Sequence, residues 1–392
     1  MIKKILLGSL LAVVLYFAGG IGLLAAGVID RLYFWPGWSV KGPKSKKKVD
    51  QSGFAADGPL VFYQNKRLIS KRIAPRGSQL VIETDTLQAN DTAVLRCFVD
   101  SMGREFRVPL RPAAVVPADA YPAPEKLLAI SDIEGNFKAF EMLLQGAGVV
   151  DEKLAWQFGR GHLVLVGDFF DRGLNVTECL WLIYKLEQEA KQAGGQVHFI
   201  LGNHERMNMM GHFKYVRRKY EVNADMLGVA YDQWYSRSTV LGQWLRTKNV
   251  VEKIGPVLFV HGGISPEVAE RRLSLRQLNV LARTSIDMAA ANQPPLDKHV
   301  TQAPSSPDWY RGLVLEEPSE AQIKQILSTY AATQIVVGHT PVESIKRLYG
   351  GKIIAIDLPH QERTDRHETL QALWMEDGTF TIIDSHGQKS GF

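Results

Sequence analysis

Two patterns of apolar and polar positions follow one another along the chain, separated by a proline-rich stretch. From about residue 58 to 111 the apolar residues recur with a period of two, as in the run 93–99, and turn-forming pairs such as Met102-Gly103 interrupt the pattern. Such alternation predicts several antiparallel strands with one side facing solvent. No cluster of His, Cys or carboxylate residues falls in this stretch. We therefore expect residues 51–112 to form a small all-β module that acts as a spacer or docking element.

Four prolines between positions 112 and 124 predict a stiff, extended linker over residues 113–125. Beyond it, over residues 126–392, short apolar runs alternate with helical segments, which indicates an α/β fold. Polar residues follow five of these runs, namely Asp132, Asp168, Asn203 with His204, His261, and His339. Because ligands of open α/β sheets bind at the carboxyl ends of the strands, we expect these five segments to form one site.

The amino-terminal pattern differs from both of these. Positions 5–29 contain no charged residue, which is long enough for a helix to span a hydrocarbon core of about 30 Å. Aromatic residues follow directly at positions 33–38, as in an interfacial belt. A cleaved signal peptide is the alternative interpretation, but its apolar region is normally about 7–15 residues long, so an uncleaved anchor over residues 1–50 is favoured. We expect a protein anchored by a single pass in a bacterial inner membrane.

Basic residues lie on both sides of this apolar segment, and they give conflicting signals for its orientation. Lys3 and Lys4 place the amino terminus in the cytoplasm, whereas six basic residues after the segment favour the reverse. A short basic start is also typical of export, so we expect the catalytic domain on the periplasmic side. Eight Lys or Arg and two Asp give residues 1–50 a charge of +6, which leaves −1 of the net +5 for the remainder. A binding groove for long nucleic acids is therefore not expected.

The composition excludes two further classes of protein. Apolar residues make up 45% and charged residues 22% of the chain, as in ordinary globular proteins, which argues against wholesale disorder. The only cysteines, Cys97 and Cys179, lie far apart in strand-like and helix-like contexts. They form neither a disulfide framework nor a zinc cluster, and we expect two buried thiols.

Asp, Asn and His at five strand ends are the residue types that bind divalent metals. Oxygen ligands combined with imidazole suit ions such as Mn²⁺, Fe²⁺ and Zn²⁺. Two such ions about 3.5–4 Å apart can hold a bridging hydroxide and clamp a phosphate for in-line attack. The strand ends therefore predict a metal centre for phosphoester chemistry.

Two longer motifs resemble those of a known family. Residues 167–173 and 202–205 match the GDxxDRG and GNHE signatures of the calcineurin-like metallophosphoesterases. The segments at 261–263, 309–312 and 338–340 resemble the pattern of its phosphoprotein phosphatase branch. The resemblance covers roughly residues 126–360 and implies a β-sandwich flanked by helices, an α/β/β/α fold. Here that fold would follow the small β module and the transmembrane helix.

Within that branch, the run 202–216, GNHERMNMMGHFKYV, resembles the bacterial Shewanella-like protein phosphatases. Bacterial bis-nucleoside tetraphosphatases are the other near relatives. The resemblance implies a role for each motif residue. His204 would be the general acid, held by Asp171, while Arg172 and Arg311 would grip the phosphoryl oxygens.

The resemblance also implies two divalent metal ions. Mn²⁺ is expected at both positions, with Fe, Zn or Mg as alternatives. Asp168 would bridge the two ions, and Asn203, His261 and His339 would complete the second. Asp132 would bind the first.

The first metal site departs from the family pattern GDxHG, because this chain has Ser131-Asp132-Ile133-Glu134-Gly135. Residues two apart at a strand end face the same way, so Glu134 can take the place of the family's His as a ligand. The alternative is that Glu134 turns away and the first ion is loosely held or absent. A second departure is His212, where relatives usually carry Asp.

Three functions stay open at this point. The first is a dinuclear-metal protein phosphatase, which the run 202–216 favours, and the second is a nucleotide or small-molecule phosphoesterase. The third is a non-catalytic pseudophosphatase that binds phosphorylated partners at the membrane, although the His204–Asp171 pair argues against it. A polar insertion at 284–308 is expected to lie over the cleft and to govern substrate choice. The sequence predicts no oligomeric state.

Overall fold

The structure is a computed structural model that describes residues 2–26, 31–35, 38–41, 52–65, 67–88, 93–111, 115–287 and 295–392. It divides into two compact units, Met1–Ser52 and Gly53–Phe392. The first unit holds helix α1 (Ile2–Ala25) and an antiparallel pair of strands, β1 (Arg31–Trp35) and β2 (Trp38–Lys41).

No helix within these described ranges has the length and apolar character needed to cross a membrane. The sequence predicted a transmembrane helix at positions 5–29, of which the structure describes positions 5–26. No membrane-spanning helix is found there. Positions 27–30 and 42–51, which include most of the basic segment, lie outside the described residues.

The second unit mixes strands and helices. Its amino-terminal strands are β3 (Asp57–Gln64), β4 (Arg67–Arg76), β5 (Gln79–Gln88), β6 (Val94–Val99), β7 (Arg104–Pro109) and β8 (Ala120–Tyr121). The next elements are β9 (Lys126–Ile130), α2 (Phe137–Gly146), β10 (His162–Leu165), α3 (Val176–Gln192), β11 (Gln196–Phe199), α4 (Asn203–Met209), α5 (Arg218–Leu227), α6 (Val240–Leu245), β12 (Val251–Ile254) and β13 (Val257–Val260).

The carboxyl-terminal part contains more helices before its last strands. Its elements are α7 (Pro266–Glu270), α8 (Leu275–Ser285), α9 (Pro295–Thr301), α10 (Gly312–Leu315), α11 (Glu320–Thr329), β14 (Gln334–Val337), β15 (Lys346–Leu348), β16 (Ile353–Ala355), α12 (His360–Asp365), β17 (Gln371–Glu376), β18 (Thr379–Asp384) and β19 (Lys389–Ser390). Short 3₁₀ turns lie at Asp100–Met102, Tyr231–Gln233 and Tyr349–Gly351.

Two six-stranded sheets carry the predicted site. In the first, of order β11-β10-β9-β17-β18-β19, the strands β9, β10 and β11 run parallel. In the second, of order β15-β16-β14-β13-β12-β8, the strands β13, β14 and β16 run parallel. Strands such as β13 are buried along their whole length, which explains their uninterrupted apolar sequences. A mixed α/β fold is thus confirmed, while the layered α/β/β/α arrangement stays a prediction.

The two sheets are joined by backbone and side-chain contacts at the ends of their parallel strands. Nδ1 of His261, just after β13, lies 2.7 Å from the carbonyl oxygen of Val166, just after β10. The backbone N–H of His339, after β14, donates to Asp132, after β9, at 3.2 Å. The predicted strand-end residues therefore meet where the two sheets come together.

The period-two stretch forms the antiparallel strands β3–β5 and β6–β7, as predicted. Their buried residues belong to the same hydrophobic cluster as the two large sheets. The indole N–H of Trp181, on α3, donates to the carbonyl oxygen of Pro59, on β3, at 2.8 Å. Cys97 and Cys179 are buried free thiols, as expected. The boundaries predicted at 112 and 125 stay predictions.

Candidate active site

Six of the residues predicted to form the site have left-handed backbone conformations. Their φ angles are +56° at Asp132, +48° at Glu134, +56° at Asp168, +68° at Asp171, +52° at Arg172 and +63° at His339. A non-glycine residue in this region is uncommon, and strain of about 1–3 kcal/mol at each such position is typical of functional sites. The surrounding fold holds these sharp turns at the strand ends.

Four of the predicted metal ligands come together around Asp168. Nε2 of His261 lies 3.0 Å from Oδ2 of Asp168 and 3.1 Å from Oδ1 of Asn203. Because Nδ1 of His261 is hydrogen-bonded to the carbonyl oxygen of Val166, Nε2 is the nitrogen left to bind a metal. Ligand atoms of Asp168, His261 and His339 all lie within 4.8 Å of one another. The structure therefore brings together the residues that the sequence predicts for the second metal site.

These residues fit a divalent cation. Nε2 of His339 is buried and has no hydrogen-bond partner among the described residues. Burial and the charge of His261 lower the pKa of His339 to about 3, so its ring is in the neutral form that binds metals. Burial raises the pKa of Asp132 to about 6, and burial together with Asp132 raises the pKa of Asp357 to about 9. A bound cation would favour the ionised forms of Asp132 and Asp357, which burial disfavours.

A second group of possible ligands adjoins the first. Ligand atoms of Glu134, Asp168 and His204 also lie within 4.8 Å of one another, so Asp168 is shared by both groups. Asp132 belongs to neither group. Its carboxylate accepts hydrogen bonds from the hydroxyl of Ser131 and the backbone N–H of His339. Glu134 contacts Arg172, and this partner was not anticipated from the sequence.

His204 is held in one orientation by Asp171. Its Nδ1 lies 2.6 Å from Oδ2 of Asp171, and that oxygen also accepts a hydrogen bond from Asn208 at 3.1 Å. Nε2 of His204 lies 3.8 Å from Oδ2 of Asp168. Burial lowers the pKa of His204, but the charge of Asp168 and the hydrogen bond to Asp171 outweigh burial and raise it. An imidazole held toward Asp168, with its pKa raised in favour of the protonated form, is suited to donate a proton to a leaving oxygen.

Two arginines lie at the edge of this centre. Nη1 of Arg311 donates to the carbonyl oxygen of His339 at 2.6 Å, and its side chain is exposed. The guanidinium of Arg172 lies 5.5 Å from the ring centre of Tyr215. The ring of Tyr215 in turn lies 5.1 Å from that of His204. Arg172 and the ring of Tyr215 thus lie on the His204 side of the cluster, while Arg311 lies beside His339.

Sequence reasoning missed Glu205, which is fully buried beside the centre. Its two oxygens accept hydrogen bonds from the backbone N–H groups of Asp168, Phe169 and Gly202, at 2.9, 2.7 and 2.7 Å. It thereby ties the loop after β10 to the start of α4. The bond to Gly202, three residues earlier, is the glutamate half of a capping box, a pattern visible in the sequence.

Arg206 is a second buried residue that the sequence did not single out. Its guanidinium donates to Asp308 at 2.5 Å, to Ser285 Oγ at 2.9 Å and to the carbonyl oxygen of Thr301 at 2.8 Å. These partners lie within the polar insertion predicted at 284–308, of which positions 288–294 lie outside the described residues. Arg206 therefore anchors the insertion to α4, next to His204. His212, by contrast, is exposed.

The fold and the site together define a metal-dependent phosphoric ester hydrolase. The calcineurin-like phosphoesterase family matches residues 125–354. Since this match covers more than half of the chain, the protein belongs to that family, as its motifs predicted.

Comparison with known proteins places it near one branch. Shewanella-like protein phosphatase 1 of Plasmodium berghei is 29% identical over 227 residues, which are 55% of this chain and 61% of that protein. The chain thus spans less than two thirds of that relative. Shewanella-like protein phosphatase 2 of Arabidopsis thaliana is 40% identical over 96 residues, 24% of this chain and 25% of that one.

A solved structure matches over a longer part of the chain. The cold-active protein-tyrosine phosphatase of a psychrophilic Shewanella species is 31% identical and superposes with a TM-score of 0.76. The superposition covers 86% of this chain and 98% of that one. The predicted resemblance to Shewanella-like protein phosphatases is therefore confirmed.

Proposed function

We propose that this protein is a dinuclear phosphomonoesterase that removes phosphate from phosphorylated proteins. The observation that carries the proposal is the 2.6 Å contact between His204 and Asp171 beside the Asp168 cluster. A protein that only binds phosphate needs no oriented proton donor, whereas hydrolysis of a phosphoester does.

Each residue has a distinct part in this reaction. Asn203, His261 and His339 would hold one ion, Asp132 and Glu134 would hold the other, and Asp168 would contribute to both. The ions, expected to be Mn²⁺, activate water and neutralise phosphoryl charge when they are bound.

The remaining residues handle the phosphate and the leaving group. Arg172 and Arg311 bind the phosphoryl oxygens and orient the ester. His204 gives its proton to the leaving oxygen, and Asp171 keeps the imidazole in the tautomer and orientation that this transfer requires.

Two observations favour a protein substrate with an aromatic leaving group. The ring of Tyr215 stands beside His204, where the leaving oxygen must be protonated. The solved Shewanella relative is described as a protein-tyrosine phosphatase. We therefore place phosphotyrosine first among the substrates. Location in a bacterial inner membrane, with the catalytic domain on the periplasmic side, stays a prediction.

Turnover by the Mn²⁺-loaded protein tests the proposal. The substrates are a phosphotyrosine peptide, the matched phosphoserine peptide, p-nitrophenyl phosphate and diadenosine tetraphosphate. We expect the highest kcat/KM with the phosphotyrosine peptide. Higher kcat/KM with the dinucleotide would instead assign a nucleotide phosphoesterase, and an inactive protein with Mn²⁺, Fe²⁺, Zn²⁺ or Mg²⁺ would refute the proposal.

A further inference from the structure

A buried lysine on α5 contacts the chain segment that carries Arg172. Nζ of Lys219 donates to the carbonyl oxygen of Leu174 at 2.5 Å. Leu174 directly follows the motif 167–173, which contains Arg172. Lys219 is only 5% exposed, and a lysine is rarely buried to this extent unless its charge has a partner. The ammonium group therefore fixes the end of the motif from inside the fold.

The backbone of this segment is strained at Arg172. Its φ angle of +52° is left-handed, and a residue in this conformation persists only where the surrounding structure fixes it. The N–H of Arg172 donates to the carbonyl oxygen of Tyr215 at 3.3 Å. The hydroxyl of Tyr220, on α5, accepts from the N–H of Val176 at 3.0 Å. Together with the buried lysine, these contacts hold the chain on both sides of Arg172.

The charge of Lys219 is compensated by Asp57, the first residue of β3. Nζ of Lys219 lies 3.6 Å from Oδ2 of Asp57, and both side chains are almost fully buried. Burial disfavours the charged form of the lysine, but nearby acidic groups, Asp57 first among them, outweigh burial and raise its pKa. The lysine is therefore a cation. A charged donor binds a carbonyl oxygen more strongly than a neutral donor does.

Asn223 fixes the same aspartate against α5. Its side-chain amide donates to Oδ2 of Asp57 and to the carbonyl oxygen of Ala55, both at 3.1 Å. Its Oδ1 accepts from the N–H of Ala55 at 3.3 Å. The other carboxylate oxygen of Asp57 accepts from the N–H of Gly58 at 2.8 Å. A continuous line of contacts thus runs from the start of β3 through α5 to the segment that carries Arg172.

We propose that Lys219 is a positioning residue for phosphate binding, held in place by Asp57: strand β3 thereby sets the backbone from which Arg172 reaches the phosphoryl group. The inference rests on the proposed function, because that function assigns Arg172 to the phosphate. It gives the β module, expected from sequence to be a spacer or docking element, a part in the site itself. Since the lysine acts on the backbone after Arg172, we expect it to affect phosphate affinity and not metal content.

Binding of inorganic phosphate to the Mn²⁺-loaded protein, measured by titration calorimetry, provides the first test. Lys219→Met keeps most of the side chain and removes the donor. We expect phosphate affinity to fall about tenfold, as for a small displacement of a binding group. The Mn²⁺ content, measured by elemental analysis, should equal that of wild type. Unchanged phosphate affinity or a lower Mn²⁺ content would overturn the inference.

Arg172→Met shows whether the lysine acts through Arg172. In this background, Lys219→Met should change phosphate affinity little, because the group that the lysine positions is absent. An equal fall in both backgrounds would mean that the lysine acts on another part of the site, and the inference would be wrong.

Lys185→Met serves as the matched control. Lys185, on α3, is also buried, and its Nζ donates to the carbonyl oxygen of Leu154 at 2.5 Å and pairs with Glu189 at 2.8 Å. Its partners lie outside the proposed site, so phosphate affinity should stay at the wild-type value. A tenfold fall in this variant as well would assign the effect to loss of any buried lysine and would contradict the positioning role.

Removal of the two charges one after the other separates positioning from stability. Asp57→Asn leaves the ammonium buried without its counter-charge, so we expect a lower midpoint of urea unfolding. Adding Lys219→Met removes that ammonium and should restore much of the midpoint. Phosphate affinity should stay low in this double variant, because the carbonyl of Leu174 still lacks its donor. If affinity recovers together with the midpoint, only stability was affected and the positioning role is refuted.

Turnover of p-nitrophenyl phosphate by the same preparations distinguishes the two proposals. An active protein in which Lys219→Met leaves phosphate affinity unchanged, or lowers it equally without Arg172, would refute only the positioning role. A protein inactive with Mn²⁺, Fe²⁺, Zn²⁺ or Mg²⁺ would refute the proposed function itself.

Discussion

Oδ2 of Asp171 accepts a hydrogen bond from Nδ1 of His204 at 2.6 Å and another from the amide of Asn208 at 3.1 Å. Asn208 is fixed in turn, because its Oδ1 accepts from Tyr231 at 3.0 Å. This chain of contacts sets the direction of the imidazole, and Nε2 is left facing Asp168. Orientation of the proposed acid is therefore a property of the folded protein before any substrate arrives.

Replacing Asp171 by Asn should separate the effect of the His204 orientation from the effect of the Asp171 charge. The amide keeps the shape but removes the negative charge that raises the pKa of His204. We expect kcat to fall about 100-fold, the lower end of the range for general acid catalysis. Since the acid must be protonated, activity declines as pH rises through its pKa, and the variant's alkaline limb should move to lower pH. A pH–rate profile measures this, with the exposed Asp225→Asn as control. An unchanged profile would remove His204 from the role of acid.

His339 provides a test of metal stoichiometry. Its Nε2 is a buried nitrogen without a hydrogen-bond partner in the described part of the chain, so His339→Ala should remove a metal ligand. After equilibration with Mn²⁺, we expect elemental analysis to find about one ion fewer per chain than in wild type. The exposed His212→Ala should retain the wild-type content, and equal loss in both variants would contradict the assignment.

Tyr215 should distinguish aryl from alkyl phosphates. Its ring lies 5.1 Å from that of His204, so it is placed to stack on an aromatic leaving group. Tyr215→Leu should lower kcat/KM for a phosphotyrosine peptide about fivefold, in line with the energy of an aromatic pair. The phosphoserine peptide should change little, and Tyr215→Phe should behave as wild type. A uniform loss on both peptides would instead indicate that Tyr215 only supports the loop.

Glu178, on α3, should make stability depend on pH. Both of its carboxylate oxygens are buried without a hydrogen-bond partner in the described residues. Burial, offset in part by Lys219, raises its pKa from 4.5 to about 8. Between these values the folded protein keeps a proton that the unfolded chain has lost. Rising pH should therefore destabilise the fold, by at most about 1.4 kcal/mol per pH unit.

Glu178→Gln removes this titration while it keeps the shape of the side chain. Relative to wild type, we expect the variant to gain stability steadily from pH 5 to pH 8 in urea unfolding. The exposed Glu270→Gln should follow the wild-type curve. If the difference between Glu178→Gln and wild type is the same at both pH values, the buried carboxyl does not titrate in this range.

Local sequence predicted the strand ends correctly because each is a short apolar run followed by a polar residue. That Asp132 and Asp168 lie near each other also follows from sequence, since the paired parallel strands β9 and β10 deliver their carboxyl ends to one edge. The meeting of Asp168 with His261 does not follow in this way, because it joins two different sheets. The contact between Glu134 and Arg172 did not follow either, because it depends on how closely two loops pack. Glu205 was missed for a related reason: two of its three donors, at Asp168 and Phe169, are more than 30 residues away.

The amino-terminal prediction was less successful. The transmembrane helix was predicted only from the absence of charged residues at positions 5–29. No helix among the described residues meets the requirements for a membrane span. The period-two stretch was predicted as strands, but periodicity says nothing about what covers their apolar faces. The contacts of Trp181, on α3, with Pro59 and of Glu141, on α2, with Arg104 show which helices lie against these strands.

The hydrogen bond from Trp181 to Pro59 bears on how the protein can be divided for expression or exchange. A fragment that starts near residue 125, where the family match begins, would lose Pro59 and leave a buried indole N–H unpaired. It would also expose apolar side chains of α3 that strands β3, β6 and β7 now cover. The segment 125–354 that matches the family is thus smaller than the compact unit Gly53–Phe392, and we expect a stable fragment to need the residues from about 53 onward.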